Sequence, residues 1–444
     1  MKFRAKRAAG EVRKPSIPES GWQPPLPQPA VVPPQRPVPA GGAVLPSNSA
    51  QSANAPTAGP FAPQPAPVDQ AANDSALIRA SLSVVEPHAA NLPGFFYATL
   101  FGRYPQVREL FPPDMDVQHD RLLRALLMIV DLVDDPANLA RFCEHLGRDH
   151  RKFGTESAHY AAVGECLLAT LAHYAGPAWN AGTAAAWSRA YTTVAEVMDQ
   201  AARADAAIRP AVWGAQIVAH HRHGDEIAEL TVRTDQPYPF VGGQYVSVAT
   251  PWWPKLWRYL SPANAPRPDG TITFHVQQVP GGRVSGALVQ RAAVGDVLQL
   301  GAPQGDMVLD PASARDIVCI AGGTGLAPIR ALVEQAALNG LRRRVDVFLG
   351  ARTAAGLYGL DDLLRMSQRH RWLTVRAAVA DQEARDGAAF LPKVLADSGP
   401  WKQHDAYLSG PAPMIVTAAR VLARGGVPLH RIHHDPFVAL DDLA

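Results

Sequence analysis

The stretch Asp316-Ile-Val-Cys-Ile-Ala-Gly-Gly-Thr-Gly-Leu-Ala-Pro328 sets the architecture of everything around it. Ile317 to Ala321 is a short apolar run with β-branched residues, which marks a buried strand. Gly322, Gly323, Thr324 and Gly325 follow at once, and a helical run reaches from Ile329 to Asn339. Glycines also make ordinary tight turns, so the cluster alone is weak evidence. Between a strand and a helix, however, it lets a phosphate approach the backbone N–H groups at the helix start. Val345-Asp-Val-Phe-Leu-Gly supplies the next strand, and Arg352 follows it. Alternating strands and helices imply a parallel α/β sheet. Ser409-Gly-Pro, after the strand-like Ala406-Tyr-Leu, predicts a second loop at the same carboxyl edge, where ligands sit in open α/β sheets.

Upstream the period changes. Trp213-Gly-Ala-Gln-Ile-Val-Ala-His, Glu226-Ile-Ala-Glu-Leu-Thr-Val-Arg, Gln244-Tyr-Val-Ser-Val-Ala-Thr and Thr271-Ile-Thr-Phe-His-Val alternate as strands do. Glycine, proline and aspartate turns between them predict an antiparallel barrel. Trp257-Arg-Tyr-Leu-Ser places Arg258 and Ser261 together, and Gly281-Gly-Arg-Val-Ser follows. An arginine fork matches a pyrophosphate, and a glycine turn offers N–H groups to an anion. Taken alone, both segments also describe plain hairpin turns.

Five elements agree in order with the ferredoxin-NADP reductase family: Gly243-Gln-Tyr, Arg-x-x-Ser, Gly-Gly-Arg-Val-Ser, Gly-Gly-Thr-Gly-Leu-Ala-Pro and Ser-Gly-Pro. The region from 210 to 444 resembles that family, in which an FAD barrel precedes an NAD(P) domain. The resemblance implies that Arg258 and Ser261 hold the flavin and its phosphates, with Gln244, Tyr245 and Ser285 lining the flavin region. It places Gly322, Gly323, Thr324, Gly325 and Pro328 on the nicotinamide nucleotide, Ser409 near the hydride-transfer site, and Phe437 over the flavin. The family pattern is Arg-x-Tyr-Ser; here Leu260 stands at the tyrosine position and Tyr259 one place early. Ser409 replaces the family's cysteine. With Arg352 rather than an acid after the second strand, the reading leans to NADPH over NADH.

The rest of the chain divides in two. Sixteen of the 41 prolines fall between Pro15 and Pro67, with Phe3, Trp22 and Phe61 as the aromatics of that arm. Such a segment buries too little apolar surface to offset its ordering entropy, so 1–73 is read as a disordered arm. Its basic start is read as a solvated tail, with an acidic partner for the arm or an anionic membrane surface as the alternatives. From 74 to 209 the spacing is helical, with Asn73 or Asp74 capping a helix from Ser75 through Val84. An all-α unit (74–209), a barrel (210–311) and an α/β sheet (312–444) are therefore expected. Forty-two basic against 40 acidic residues argue against a broad nucleic-acid-binding face. No window supplies the ~18 apolar residues of a membrane span, and the basic start precedes no apolar leader segment. Three cysteines make no disulfide framework and fit reduced core thiols. A cytoplasmic monomer is expected.

In the helical unit His150 lies in Asp149-His-Arg-Lys-Phe-Gly, with Tyr160 beyond it and His145 as a competitor. A lone helical histidine is more often structural than a ligand. Phe-Tyr97-x-x-x-Phe, Leu-Phe111-Pro, Gln118-x-x-x-Leu and His-x-x-Phe-Gly-x-x-x-x-x-Tyr-x-x-Val-Gly change that balance. In this order they resemble the globin domain of flavohaemoglobins, in which a globin is fused to a reductase of the kind above. The resemblance implies haem b, FAD and NAD(P)H as cofactors. His150 becomes the iron ligand, Tyr97 and Gln118 the distal donors, Phe111 a haem-packing ring, and Tyr160 a neighbour of the proximal histidine. Asp149 stands where the family places lysine, and Ala204, beside Asp205, where it places a late glutamate. Asp149 and Asp435 are thereby expected to repel where other members pair lysine with glutamate. The implied activity is nitric oxide dioxygenation, with O2 and NO as substrates. A flavohaem oxidoreductase fed by another donor, such as a 2-hydroxy acid, and a haem-based gas or redox sensor are the alternatives.

Overall fold

The computed structural model describes residues 68–340, 342–379 and 390–435. Both the arm as far as residue 67 and Phe437 lie outside them. Six helices come first: α1 (Val68–Val85), α2 (Leu92–Arg103), α3 (Asp116–Asp131), α4 (Pro136–His150), α5 (Ser157–Ala175) and α6 (Ala181–Ala206). The opening helix corrects the expectation from sequence. It begins inside the expected arm, so Asn73 and Asp74 do not cap it. Asp74 accepts instead from Gln70 at 2.9 Å and pairs with Arg189 of α6 at 2.6 Å.

α4, the helix that carries His150, has its start fixed locally. Asp135 accepts from the Asn138 N–H at 3.1 Å, and Pro136 takes the first helical position. The helix then runs close along α6. A Cβ at Gly147 would lie 2.1 Å from the Met198 carbonyl oxygen, so only glycine permits the approach. α3 behaves differently. It carries Leu122, Leu123, Leu126, Leu127, Ile129 and Val130, yet none of its described residues is buried.

The second unit is an antiparallel sheet of β1 (Trp213–His223), β2 (Ile227–Thr234), β3 (Tyr245–Thr250), β4 (Trp253–Leu260), β5 (Thr271–Gln277) and β6 (Val297–Gln304), in the order β4-β3-β6-β1-β2-β5. The bridge Pro262↔Phe274 links the segment after β4 to β5, so the two ends of the sheet approach each other as in a barrel. Trp213, Ile217, Leu230, Phe274 and Leu300 fill the interior with Leu288 of α7 (Arg283–Gln290). The Gly281-Gly-Arg-Val-Ser element thus opens a helix rather than turning a hairpin.

The third unit is a parallel sheet of β7 (Asp316–Gly322), β8 (Val345–Ala351), β9 (Leu373–Val379), β10 (His404–Ser409) and β11 (Ile432–His434), in the order β11-β10-β7-β8-β9. Helices α8 (Leu326–Leu338), α9 (Leu360–Arg369), α10 (Phe390–Asp397) and α11 (Ala412–Arg424) connect its strands. The order reverses direction between β7 and β10, and the crevice at that switch point is the usual ligand site of such sheets. Cys143, Cys166 and Cys319 are buried and unpaired, as expected.

Candidate functional site

His150 ends α4 with its Nδ1 2.7 Å from the Leu146 carbonyl oxygen one turn back. That contact fixes the ring and assigns the proton to Nδ1, which leaves the Nε2 lone pair available to a metal. Burial holds the imidazole below its ordinary pKa, against the opposing effects of the Leu146 carbonyl and Asp149. A neutral, oriented imidazole is the form that ligates haem iron. Tyr97 of α2 is buried and donates to the Gln118 backbone oxygen at 3.4 Å. The Gln118 side-chain amide has no hydrogen-bond partner among the described residues. Phe111 meets Tyr97 edge-on at 5.4 Å, and Arg108 fixes the turn by donating to the carbonyls of Phe111 and Pro112. Together with the half-exposed leucine face of α3, these groups fit a flat apolar cofactor ligated from α4.

Tyr160 is placed differently from His150. It lines a groove between α5 and α6 with Tyr191 and Asp199. Burial, reinforced by Asp199, pushes its phenol up to about 12. No hydrogen bond joins it to His150 among the described residues. Asp205, beside the position of the missing glutamate, is held by Arg151 and Arg209.

On the flavin side, β4 carries Arg258 and the segment after it Ser261. Arg258 donates to its neighbour's carbonyl, Trp257 O, at 2.9 Å, and no carboxylate pairs with it among the described residues. Burial and the nearby Arg121 lower its pKa, against the opposing charge of Asp114. The Ser261 hydroxyl likewise has no partner among them. A half-buried guanidinium and an open hydroxyl on one strand end suit a pyrophosphate. Tyr245 is buried, and Gly305 makes room for it: a Cβ there would lie 2.9 Å from the ring. Gln244 accepts from the Val241 N–H at 3.0 Å, while Ser285 Oγ accepts from the Val279 N–H at 3.1 Å and closes the loop before α7.

The nucleotide loop is assembled from two distant segments. A Cβ at Gly325 would lie 2.3 Å from the Ser409 carbonyl oxygen, and one at Gly322 would lie 2.6 Å from Met414 Sδ. The loop after β7 and the loop after β10 therefore share one edge, with Gly323 in the left-handed region at φ 55°. Thr324 is half-buried, Pro328 is buried in the first turn of α8, and Arg352 is exposed past β8.

Three family models match in this order: Globin over residues 94–198, Oxidoreductase FAD-binding domain over 214–309, and Oxidoreductase NAD-binding domain over 319–420. A flavohemoprotein from Bordetella pertussis is 30% identical over 392 residues, which cover 82% of this chain and 97% of that protein. The chain belongs to the flavohaemoglobin family. A flavohemoglobin from Malassezia yamatoensis, solved with FAD and haem bound, shares the fold at a TM-score of 0.69 and 18% identity, covering 82% of this chain and 98% of that one. Over the reductase half alone, the xylene/toluene monooxygenase electron transfer component of Pseudomonas putida is 32% identical over 236 residues, 52% of this chain and 67% of that protein. The chain is accordingly a haem- and FAD-dependent, NAD(P)H-linked oxidoreductase. Among its described residues no helix is long and apolar enough to cross a membrane.

Within this flavohaemoglobin scaffold, the departures noted in the sequence acquire positions. Leu260 packs against the barrel core. Tyr259, on the opposite face of β4, meets Tyr245 edge-on at 5.1 Å. The expected repulsion between Asp149 and Asp435 overlooked a cation that serves Asp149. Asp149 pairs with Lys152 at 2.5 Å and accepts from Gln304 Nε2 at 2.7 Å. Burial opposes ionisation of Asp149, but Lys152 and Gln304 outweigh it and hold the carboxyl below its ordinary pKa. Asp435, buried without such help, is pushed up to about 6. A cleft of ≈ 250 Å³ at this junction is lined by Asp149, Lys152, Gln244 and Gln304. Sequence reasoning missed three neighbours. His119 stacks on Tyr97 at 5.3 Å, and Lys152 and Gln304 take part in the junction. Lys152 lay in plain view beside His150, whereas nothing local marks Gln304.

Proposed function

We propose that the chain is a nitric oxide dioxygenase that converts NO and O2 to nitrate at the expense of NAD(P)H. The observations that carry this reading are a neutral imidazole fixed by Leu146 at the end of α4 and the Tyr97–Gln118 donor set on α2 and α3. Haem held by His150 and FAD held by the barrel supply the oxygen-binding and electron-carrying chemistry. Gln118 offers an N–H to a polar diatomic ligand, and Tyr97 an O–H when it turns from the Gln118 carbonyl; such distal donors decide between storage and activation of O2. Phe111 and the leucines of α3 keep bulk water from that ligand. Arg258 and Ser261 receive the flavin phosphates and Tyr245 borders its ring system, while Gln244 and Ser285 brace the loops around it. The N–H groups of the Gly322–Gly325 loop receive the nucleotide, with Thr324 and Ser409 at its reacting end and Pro328 fixing the helix start. Arg352, exposed and without an acidic neighbour in sequence, favours a 2′-phosphate and thus NADPH.

The test is NO consumption in air by the full chain loaded with haem and FAD, first with NADPH and then with NADH. Catalytic nitrate formation that falls at least ~100-fold in His150→Ala is the expected result. Intact haem and flavin spectra without nucleotide-driven NO consumption would refute the dioxygenase reading while leaving the cofactor assignments standing.

A further inference from the structure

We propose that Lys152 is a positioning residue that locks the end of α4 onto the flavin-binding sheet and thereby sets the rate of electron transfer between the two cofactor sites. The proposal rests on the reading that His150 holds haem and the barrel holds FAD.

A lysine beside a domain junction ordinarily sends its ammonium to water. The Lys152 side chain is only 4% exposed. Its Nζ lies 2.5 Å from Asp149 Oδ1 and 5.2, 5.6 and 5.6 Å from the ring centroids of Phe153, Trp257 and Tyr259. Trp257 and Tyr259 are alternate residues on one face of β4, which is why both rings reach the same cation. Asp149 in turn accepts from Gln304 of β6. The Lys152 stem crosses β6 at Gly301, where a Cβ would lie 3.3 Å from Lys152 Cδ and 2.2 Å from Ser247 Oγ. One side chain thus contacts the end of α4, β4 and β6.

Its place along the chain gives the cluster its consequence. Lys152 is two residues from His150, and Trp257 and Tyr259 flank Arg258 on the strand leading to Ser261. Slack in this contact moves the iron ligand relative to the flavin-holding strand, and misplacement by ~1 Å is enough to cost ~100-fold in a geometry-limited step. The step is electronically simple. A hydride from NAD(P)H leaves two electrons on FAD, and each crossing oxidises the flavin by one electron and reduces one ferric haem to ferrous. Over two crossings one NAD(P)H and two ferric haems give NAD(P)+, two ferrous haems and one proton.

The experiment is anaerobic stopped flow on the full chain loaded with haem and FAD, mixed with NADPH under carbon monoxide. Flavin bleaching and the ferrous-haem carbonyl band are followed separately. In Lys152→Met, haem and FAD spectra and the rate of flavin bleaching match the parent, and haem reduction slows at least ~10-fold. Lys152→Arg, which keeps a cation over the rings, returns haem reduction to within ~3-fold of the parent. Trp257→Leu, which opens the cage from the flavin side without touching α4, reproduces the same split and serves if Lys152→Met does not fold. Haem reduction at the parent rate in a folded Lys152→Met or Trp257→Leu overturns the proposal, as does equal slowing of both steps. A parent chain that binds no haem overturns the underlying assignment of His150 instead.

Discussion

Where α4 meets the flavin-binding sheet, a single ammonium is enclosed by three aromatic rings and one carboxylate, with contacts of 2.5 and 2.7 Å to and from Asp149. Where that sheet meets the nucleotide-binding unit, the charges are more numerous and the contacts longer. Glu229 of β2 lies 3.4 Å from His223, 4.0 Å from His275 and 3.7 Å from Arg330. Arg330 of α8 also faces Glu334 at 3.4 Å and Asp362 at 3.9 Å, and Tyr358 reaches His275 Nδ1 at 3.3 Å. Among the described residues neither His275 Nε2 nor Arg330 Nε, both buried, has a hydrogen-bond partner. Contacts of this length leave room for water and for small displacements. The first junction is fixed by geometry, and the second is held by a loose electrostatic web. The difference matches the traffic across each: an electron needs a constant gap, whereas a nucleotide must enter and leave.

The largest test of this contrast removes one carboxylate from each junction. Asp149→Ala leaves the Lys152 ammonium buried without its counter-ion, which costs about 3–5 kcal/mol. Glu229 is 30% exposed and shares its partners with other acids, so Glu229→Ala is screened by solvent and costs about 1 kcal/mol or less. Urea denaturation of the two variants and the parent, followed by tryptophan fluorescence, measures both. Equal losses would erase the distinction between the junctions.

The second test uses pH. Burial, with Arg330 and His223 adding to it and Glu229 and Asp362 opposing, lowers the His275 pKa to about 4. The folded-state value is depressed below the ordinary 6.5. The stability it contributes is therefore complete above about pH 6.5 and is lost as pH falls toward about 4, by about 3 kcal/mol in full. His275→Gln abolishes that dependence. Comparing parent and variant at about pH 7.5 and about pH 5 isolates His275 from Asp435. Asp435 has a raised folded-state pKa of about 6, and its contribution runs the other way, lost as pH rises. Parallel pH profiles for parent and variant would show that His275 is not a sensitive part of the second junction.

These junctions also mark where the sequence was informative and where it was not. The strands β1 and β2 announce themselves by alternation, and β7, the glycine loop and α8 by their order, because each of these signals is local. The loop glycines stand out for the same reason, whereas His150 is singled out only by the order of the motifs spread around it. β4 escaped because Pro254 reads as a strand breaker. It is tolerated because β4 ends the sheet order, so a missing N–H costs no ladder bond. The loop before α7 was ambiguous because two glycines suit a hairpin turn as well as a helix start. The partnership of Asp149 with Gln304 spans most of two domains and leaves no periodic trace. Charge at the junction was therefore misjudged: Asp149 was read against a family lysine one place before the histidine, while the cation that serves it lies three residues further on.

The smallest effect sharpens the comparison most. Tyr358 joins the nucleotide-binding unit to His275 through one neutral hydrogen bond at 3.3 Å. Tyr358→Phe keeps the ring against His275, whose centroid lies 5.5 Å away, and removes only the hydroxyl. The loss expected for such a bond is about 1 kcal/mol. Its informative consequence is directional. His275 loses the Tyr358 hydroxyl at Nδ1 and then has no hydrogen-bond partner on either ring nitrogen, so the web across this junction slackens further. Hydrogen–deuterium exchange in α8 and in the β8–α9 segment should rise, while exchange around Lys152 and β4 stays at the parent level. Raised exchange at both junctions would mean that the three units move as one body, and the contrast between a fixed junction and a loose one would fail.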